Sequence, residues 1–151
     1  MTPNDKPPLD LRHRVTLHHI CVGTQDEIVD GKQFMTYATI LKTLKIEQSP
    51  FFMKMDVEGY EWSVIPAIID SQRHLPTQIA FELHFHTYPE TGLEWAPFRY
   101  KSPAEIALFM DYLYRHGQYH LIDRRDNQYC RHCSEFLIAR VCSEPQHMHT
   151  P

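Results

Sequence analysis

Residues 54–61 read KMDVEGYE, so Asp56, Glu58 and Glu61 follow directly on an apolar run; further on, Glu82, His84 and His86 occupy every second position. Carboxylates and imidazoles are the side chains that accept, hold and return protons near neutral pH, and they also bind polar hydroxyl-bearing ligands. If residues 77–86 form a strand, its two-residue period puts Glu82, His84 and His86 on one face. Asp56, Glu58, Glu82 and His84 are therefore the candidate catalytic residues. The same acids also fit a plainer use. At the start of a helix, Asp56 or Glu58 accepts backbone N–H bonds and favours the helix N-terminus. A second constellation is Cys130-Arg-His-Cys133, whose spacing suits zinc, with His120, His132, His147 and His149 not far off. One such pair equally suits two reduced thiols in a turn, or a local disulfide in a secreted chain, and no metal ligand is assigned to it. A P-loop, a nucleophile elbow and an H-E-x-x-H helix are absent.

These residues need elements to position them. Residues 51–57 are a short apolar run of the kind buried on both faces of a sheet. Gly59 allows a tight turn, and residues 60–72 place Trp62, Ile65, Ile68 and Ile69 on one helical face, with Pro66 inside. Residues 77–86 are a strand. Before this group, residues 15–22 read as a strand, residues 23–33 as a loop with Gly23 and Gly31 as breakers, and residues 34–46 as a helix. After it, residues 88–103 are a proline-rich loop carrying Trp95. Ser102-Pro103 then opens a helix over 103–116, which Gly117 ends. Strands over 119–124 and 134–142 close the chain and can pair antiparallel. Strands alternating with helices predict an α/β domain whose sheet is mostly parallel. In such sheets sites form beyond the carboxyl ends of strands, where Asp56, Glu58, Glu82 and His84 all lie. Phe52, Ile65, Ile79, Phe81, Leu108, Leu121 and Leu137 are the expected core.

Composition sets the outer limits. The 151 residues suit one domain, and 42% hydrophobic with 12% aromatic residues is enough for a core. A net charge of −4 without a basic stripe argues against a nucleic-acid partner. No run of about 18 apolar residues occurs, so no membrane span is expected. The polar, proline-containing N-terminus lacks the apolar segment of a signal peptide, which implies a cytoplasmic chain if Met1 is the true start.

KMDVEGYEW resembles the K-x-D-x-E-G-x-E-W signature of FkbM-type methyltransferases and their eukaryotic methyltransferase-like relatives, through Lys54, Asp56, Glu58, Gly59, Glu61 and Trp62. MTYATILKTL is similar to the helix before that signature, TQIAFELHF to the strand after it, and NQYCRHCSEF to a cysteine-bearing C-terminal segment of the eukaryotic branch. The resemblance spans residues 15–142. It implies a Rossmann-like fold, S-adenosylmethionine as methyl donor, and transfer to oxygen on a small-molecule or glycan acceptor. By the same resemblance, Gly23, Thr24 and Asp26 follow the family's third strand and would lie near the adenine as cofactor-binding residues.

The sequence also departs from that family. A glycine-rich strand turn for the methionine part of the cofactor, and a second strand ending in a ribose-binding acid, are not visible before Val15. The expected fold is thus an incomplete Rossmann-like methyltransferase sheet with helices on both faces and its first two strands missing. Residues 1–14 are an irregular lead-in, 15–142 a partial methyltransferase domain and 143–151 a flexible tail. The fourth strand of the family's sheet, here 51–57, would expose an edge open to a partner. This chain alone is expected to bind S-adenosylmethionine weakly or not at all. Two other readings stay open: a non-catalytic remnant that binds a partner through the open edge, and a small zinc-binding module built on Cys130 and Cys133.

Overall fold

The structure is a computed structural model that describes residues 13–85 and 100–141. Its elements in chain order are β1 (Cys21–Val22), β2 (Glu27–Val29), β3 (Lys32–Met35), α1 (Tyr37–Thr43), β4 (Phe52–Met55), α2 (Glu61–Ser71), β5 (Gln78–His84), α3 (Pro103–Gly117), β6 (Tyr119–Asp126) and β7 (Cys133–Arg140). They form two sheets, one ordered β1-β3-β2 and one ordered β4-β5-β7-β6. In the larger sheet β4 and β5 run parallel, with Met55 beside Phe81, whereas β5–β7 and β7–β6 are antiparallel, so among the described residues the sheet is not the mostly parallel one expected. The strands within residues 51–57 and 77–84 are neighbours, and the expected antiparallel closing pair is present. The lead-in up to residue 12, His86, most of the proline-rich loop with Trp95, and the tail lie outside the described residues.

The N-terminal third differs from the sequence-based expectation. Only Cys21–Val22 of the strand expected over 15–22 pairs, and it pairs with β3 rather than with the larger sheet. The expected loop over 23–33 contains a hairpin instead. Asp30 (φ 50°) and Gly31 (φ 74°) join β2 to β3. Asp-Gly is the dipeptide that most readily places two successive residues in the left-handed region a tight hairpin requires. Phe34 and Met35 belong to β3, not to the helix. Thr36 separates the two: its backbone is extended, and its hydroxyl accepts the Thr39 N–H at 3.2 Å, so α1 starts only at Tyr37.

The other two helices follow their sequence signals. In α2, Val64, Ile65, Ile68 and Ile69 are buried at helical spacing. Ser102 and Glu105 close a reciprocal capping box on α3, with Pro103 in its first turn. Gln118 (φ 57°), not Gly117, takes the left-handed position after α3.

The core forms where α2 and α3 cover one face of the larger sheet. Ile79, Phe81 and Leu83 alternate along β5 and are fully buried, and Phe136 and Ile138 extend the surface on β7. The Trp62 ring from α2 meets the Phe109 ring from α3 at 4.8 Å, and Phe81 stacks on Phe136 at 5.3 Å. Fully burying a side chain such as Ile or Phe stabilises by about 1.5–3 kcal/mol relative to exposure. Helices on both faces are not found among the described residues. The opposite face carries half-buried Ala80 and Leu137 and a cross-strand pair, Lys54 Nζ to Glu135 Oε2 at 2.6 Å, which suits water better than a packed helix. Three residues of the expected core are exposed for related reasons. Phe52 (51%) lies on edge strand β4, Leu121 (51%) on edge strand β6, and Leu108 (69%) on the outer side of α3. Among the described residues β4 pairs only with β5.

Gly117 is required by packing rather than by backbone angle. A Cβ there would sit 2.5 Å from Cδ2 of Tyr119 and 3.0 Å from Cδ1 of Ile69. The Tyr119 ring cannot swing away easily, because it is buried and its hydroxyl donates to the Pro76 carbonyl at 2.6 Å. Gly117→Ala should therefore destabilise by about 1–3 kcal/mol, despite the better helix propensity of alanine. Urea unfolding should show a lower midpoint with unchanged slope; a neutral or stabilising result would show that Tyr119 is free to move.

Candidate functional site

The carboxyl ends of β4 and β5 lie side by side because the strands are parallel and in register. The chain leaves β4 through Asp56 and Val57, then turns sharply: Glu58 (φ 52°) and Gly59 (φ 99°) are both left-handed. A glutamate in that region costs on the order of 1–3 kcal/mol and persists only where its surroundings hold it. Glu61 does the holding. At the first position of α2 it is fully buried. Its Oε1 accepts the Val57 N–H at 2.7 Å and its Oε2 accepts the Gly59 N–H at 2.9 Å. A carboxylate there meets both the orphan donors of the turn and the positive end of the helix dipole. Glu61, and not Asp56 or Glu58, accepts the backbone N–H bonds of this turn, and α2 itself has no side-chain cap.

Glu61 also holds His84. The His84 Nδ1 lies 3.3 Å from Glu61 Oε1 and 3.4 Å from Oε2. His84 is only 9% exposed, and its backbone carbonyl accepts the indole N–H of Trp62 at 2.6 Å. An ionised carboxylate can only accept, so the hydrogen-bond network assigns a proton to Nδ1 and points Nε2 outward. Around Nε2 stand three further carboxylates: Glu58 Oε2 at 3.5 Å, Glu82 Oε2 at 3.9 Å and Asp56 Oδ1 at 4.0 Å. Burial pulls the imidazole pKa down, but the Glu61 hydrogen bond and the charges of Glu61, Glu58 and Glu82 outweigh it, leaving it above its ordinary value. For Glu82, burial raises the pKa, an Asn127 hydrogen bond opposes this, and the Asp56 charge adds to the rise; the net direction is up. Asn127 donates to Glu82 Oε1 at 2.6 Å from the β6–β7 connection.

The four candidate catalytic residues, Asp56, Glu58, Glu82 and His84, are therefore brought together at one end of the sheet. Gly23, Thr24 and Asp26 are placed elsewhere. Gly23 and Thr24 line a cleft of about 210 Å³ with residues of α1 and α2. The Gly23 N–H is taken by the Met35 carbonyl at 2.9 Å. Asp26 accepts from the Thr36 N–H at 2.7 Å and the Thr39 hydroxyl at 2.6 Å, and these bonds, Thr39 first, hold its pKa below the ordinary value. Cys130 and Cys133 are joined in a disulfide, so in this state they offer no thiolate to a metal. Glu61 and Asn127 were not among the sequence candidates. Glu61 carries a signal in hindsight, an acid two residues after the glycine of a strand-to-helix turn. Asn127 carries none, since its contact is 45 residues away.

The sequence pattern of the family described as "Methyltransferase FkbM domain" matches residues 14–121. The chain belongs to the FkbM methyltransferase family. The match includes Asp56, Glu58, Glu61, Glu82 and His84 of this chain and stops before Asn127 and the disulfide. No curated protein and no solved structure gives a match. Among the described residues, no helix is long and apolar enough to cross a membrane.

The geometry separates residues that build the turn after β4 from residues exposed beside it. Glu61→Ala would strand two backbone N–H groups and the His84 Nδ1–H, each costing about 1–3 kcal/mol. It should destabilise by at least about 3 kcal/mol. Asp56→Ala, whose side chain is nearly half exposed, should stay within about 0.5 kcal/mol. Urea unfolding of the two variants checks this; equal losses would place Asp56 in the structural turn as well.

Proposed function

We propose that this chain carries the acceptor end of an FkbM-type methyltransferase that methylates a hydroxyl oxygen, and that its larger sheet is part of a Rossmann-like fold. The observation that carries the reading is the convergence of Asp56, Glu58, Glu82 and the Glu61-held His84 beyond two parallel strand ends. A polar acceptor, a sugar or a small polyol, presents hydroxyls that donate to the exposed oxygens of Asp56 and Glu58. Methylation of oxygen requires the O–H bond to break, and its proton passes to a carboxylate of this cluster. Glu61 stays out of that exchange because its oxygens are bonded to Val57, Gly59 and His84; its part is to hold the turn and the ring in position.

S-adenosylmethionine is the donor that methyltransferases of this kind generally use, but the described residues do not fit it. Its methionine part needs a close backbone approach of the sort glycines permit. Gly23 packs instead on Phe34, with a built Cβ only 3.3 Å from that ring, and its N–H is already bonded. Its ribose needs an acceptor such as a free carboxylate, yet both Asp26 oxygens hold the start of α1. The cofactor is therefore read as held by protein other than the described residues.

Titration calorimetry of S-adenosylmethionine into the 151-residue protein should give no saturable micromolar binding. In a form of the protein that binds the cofactor, Asp56→Ala should lower methyl transfer to hydroxyl acceptors by about 10²–10⁴-fold, with the melting temperature nearly unchanged. A micromolar dissociation constant for the chain alone would reject the placement of the cofactor. Intact turnover in Asp56→Ala would reject its catalytic role.

A further inference from the structure

The connection between β6 and β7 carries a pair of residues that the proposed function does not use. Cys130 and Cys133, three positions apart, are joined in a disulfide. A disulfide stabilises mainly by constraining the unfolded chain, and more so the longer the loop it closes. This one closes a single turn that other bonds already hold. The β6–β7 ladder reaches Asp126 and Ser134 on either side of it, and the Phe85 N–H, just past β5, donates to the His132 carbonyl at 2.9 Å. The Tyr129 N–H donates to Asn127 Oδ1 at 2.8 Å, and the Cys130 N–H donates to the Asn127 carbonyl at 3.3 Å. As a staple the bond adds little. Its two sulfurs are also unlike. Cys130 is half-buried between exposed Tyr129 and Arg131, whereas Cys133 is 3% exposed and sits opposite His84 of β5. Exchange with an external thiol depends on access and on which sulfur is attacked, so this asymmetry gives the bond a reactive end and a fixed end.

We propose that Cys130–Cys133 is a thiol–disulfide exchange site whose substrate is a thiol, with Cys130 as the sulfur attacked and Cys133 as the sulfur that leaves. The thiolate of an incoming thiol attacks Cys130 Sγ. An S–S bond forms between them, the Cys130–Cys133 bond breaks, and its electron pair leaves with Cys133 Sγ, which takes up the proton the incoming thiol released. A second thiol attacks the incoming sulfur of this mixed disulfide and expels Cys130 in the same way. Two thiols are thereby oxidised to one disulfide, and the cysteine pair is reduced to two thiols. The exposed Arg131 places positive charge where the first thiolate arrives. A carboxylate oxygen of Glu82 lies within 4.8 Å of both sulfurs, so the Cys133 thiol forms beside a side chain able to accept its S–H. Asn127 carries the change further. Its side-chain N–H holds Glu82 Oε1 at 2.6 Å while its oxygens hold the Tyr129 and Cys130 N–H groups. Opening the S–S bond removes the covalent anchor of the turn that positions Asn127, and with it the grip on Glu82. The inference rests on this turn and its bonds, not on the methyltransferase reading.

The test incubates the folded 151-residue protein in mixtures of reduced and oxidised glutathione, quenches in acid and alkylates the thiols. Cleavage after Arg131 puts Cys130 and Cys133 on separate peptides for mass spectrometry. Reduced glutathione should open the pair without unfolding the protein, and oxidised glutathione should restore it. In Cys133→Ser, oxidised glutathione should leave a mixed disulfide on Cys130. In Cys130→Ser the same adduct on Cys133 should form at least about tenfold more slowly. If either serine variant does not fold, alkylation of the reduced parent protein makes the same comparison, with Cys130 modified first. On reduction the side-chain amide resonance of Asn127 should shift. A pair that glutathione opens only in urea, or whose opening unfolds the protein, would overturn the proposal and make the bond a staple. Equal rates at the two sulfurs would overturn the assignment of Cys130 as the sulfur attacked. An Asn127 amide that reduction leaves unmoved would overturn the link to Glu82.

Discussion

A buried carboxylate organises the carboxyl end of the sheet. Glu61 has no exposed surface. A charge so placed costs several kcal/mol of desolvation unless its oxygens are met by donors. Here the donors are the Val57 and Gly59 N–H groups and the His84 ring, at the positive end of an 11-residue helix. Each is also a group that would otherwise be stranded: two amides of a turn with two successive left-handed residues, and a ring nitrogen buried under α2. One side chain thus satisfies the turn, opens the helix and fixes the imidazole.

The packing around it follows from that placement. Trp62, next along α2, reaches the His84 carbonyl with its indole N–H and the Phe109 ring of α3 with its face. The strand end carrying His84 is thereby tied to both helices that cover the sheet. On the other side Asn127 ties Glu82 to the connection between the last two strands, which the Cys130–Cys133 disulfide closes. The result is an acidic cluster with exposed Asp56 and Glu58 at its rim, Glu82 and His84 buried behind them and Glu61 without exposed surface. That gradient separates residues able to exchange partners with a ligand from residues whose bonding is complete.

The parts legible in the sequence were those governed by local rules. The strand before Asp56, the Ser102-Pro103 start of α3 and the burial of Ile79 and Phe81 depend on neighbours a few residues away and appear where they were expected, although β4 lies at the sheet edge and is not buried on both faces. The motif shared with FkbM proteins falls at the carboxyl end of β4, beside that of β5. The failures involve distant partners or competing local signals. Asp30-Gly31 is a hairpin signal, but the polar stretch around it read as loop. Phe52, Leu108 and Leu121 are apolar residues whose burial depended on whether a strand or helix would cover them, and on edge strands and on the outer side of α3 nothing described does. Glu61 read as one acid among three. Only the return of β5 beside β4, with His84 arriving above the turn, distinguishes it from Asp56 and Glu58.

Glu61 and His84 act as one unit, and a double-mutant cycle measures how strongly they are coupled. Urea unfolding free energies of the parent protein, Glu61→Gln, His84→Gln and the double variant give the coupling between the two side chains. A charge-assisted hydrogen bond in a buried site predicts a coupling of about 1.5–3 kcal/mol. Effects that add within about 0.3–0.5 kcal/mol, as for residues that do not interact, would contradict it.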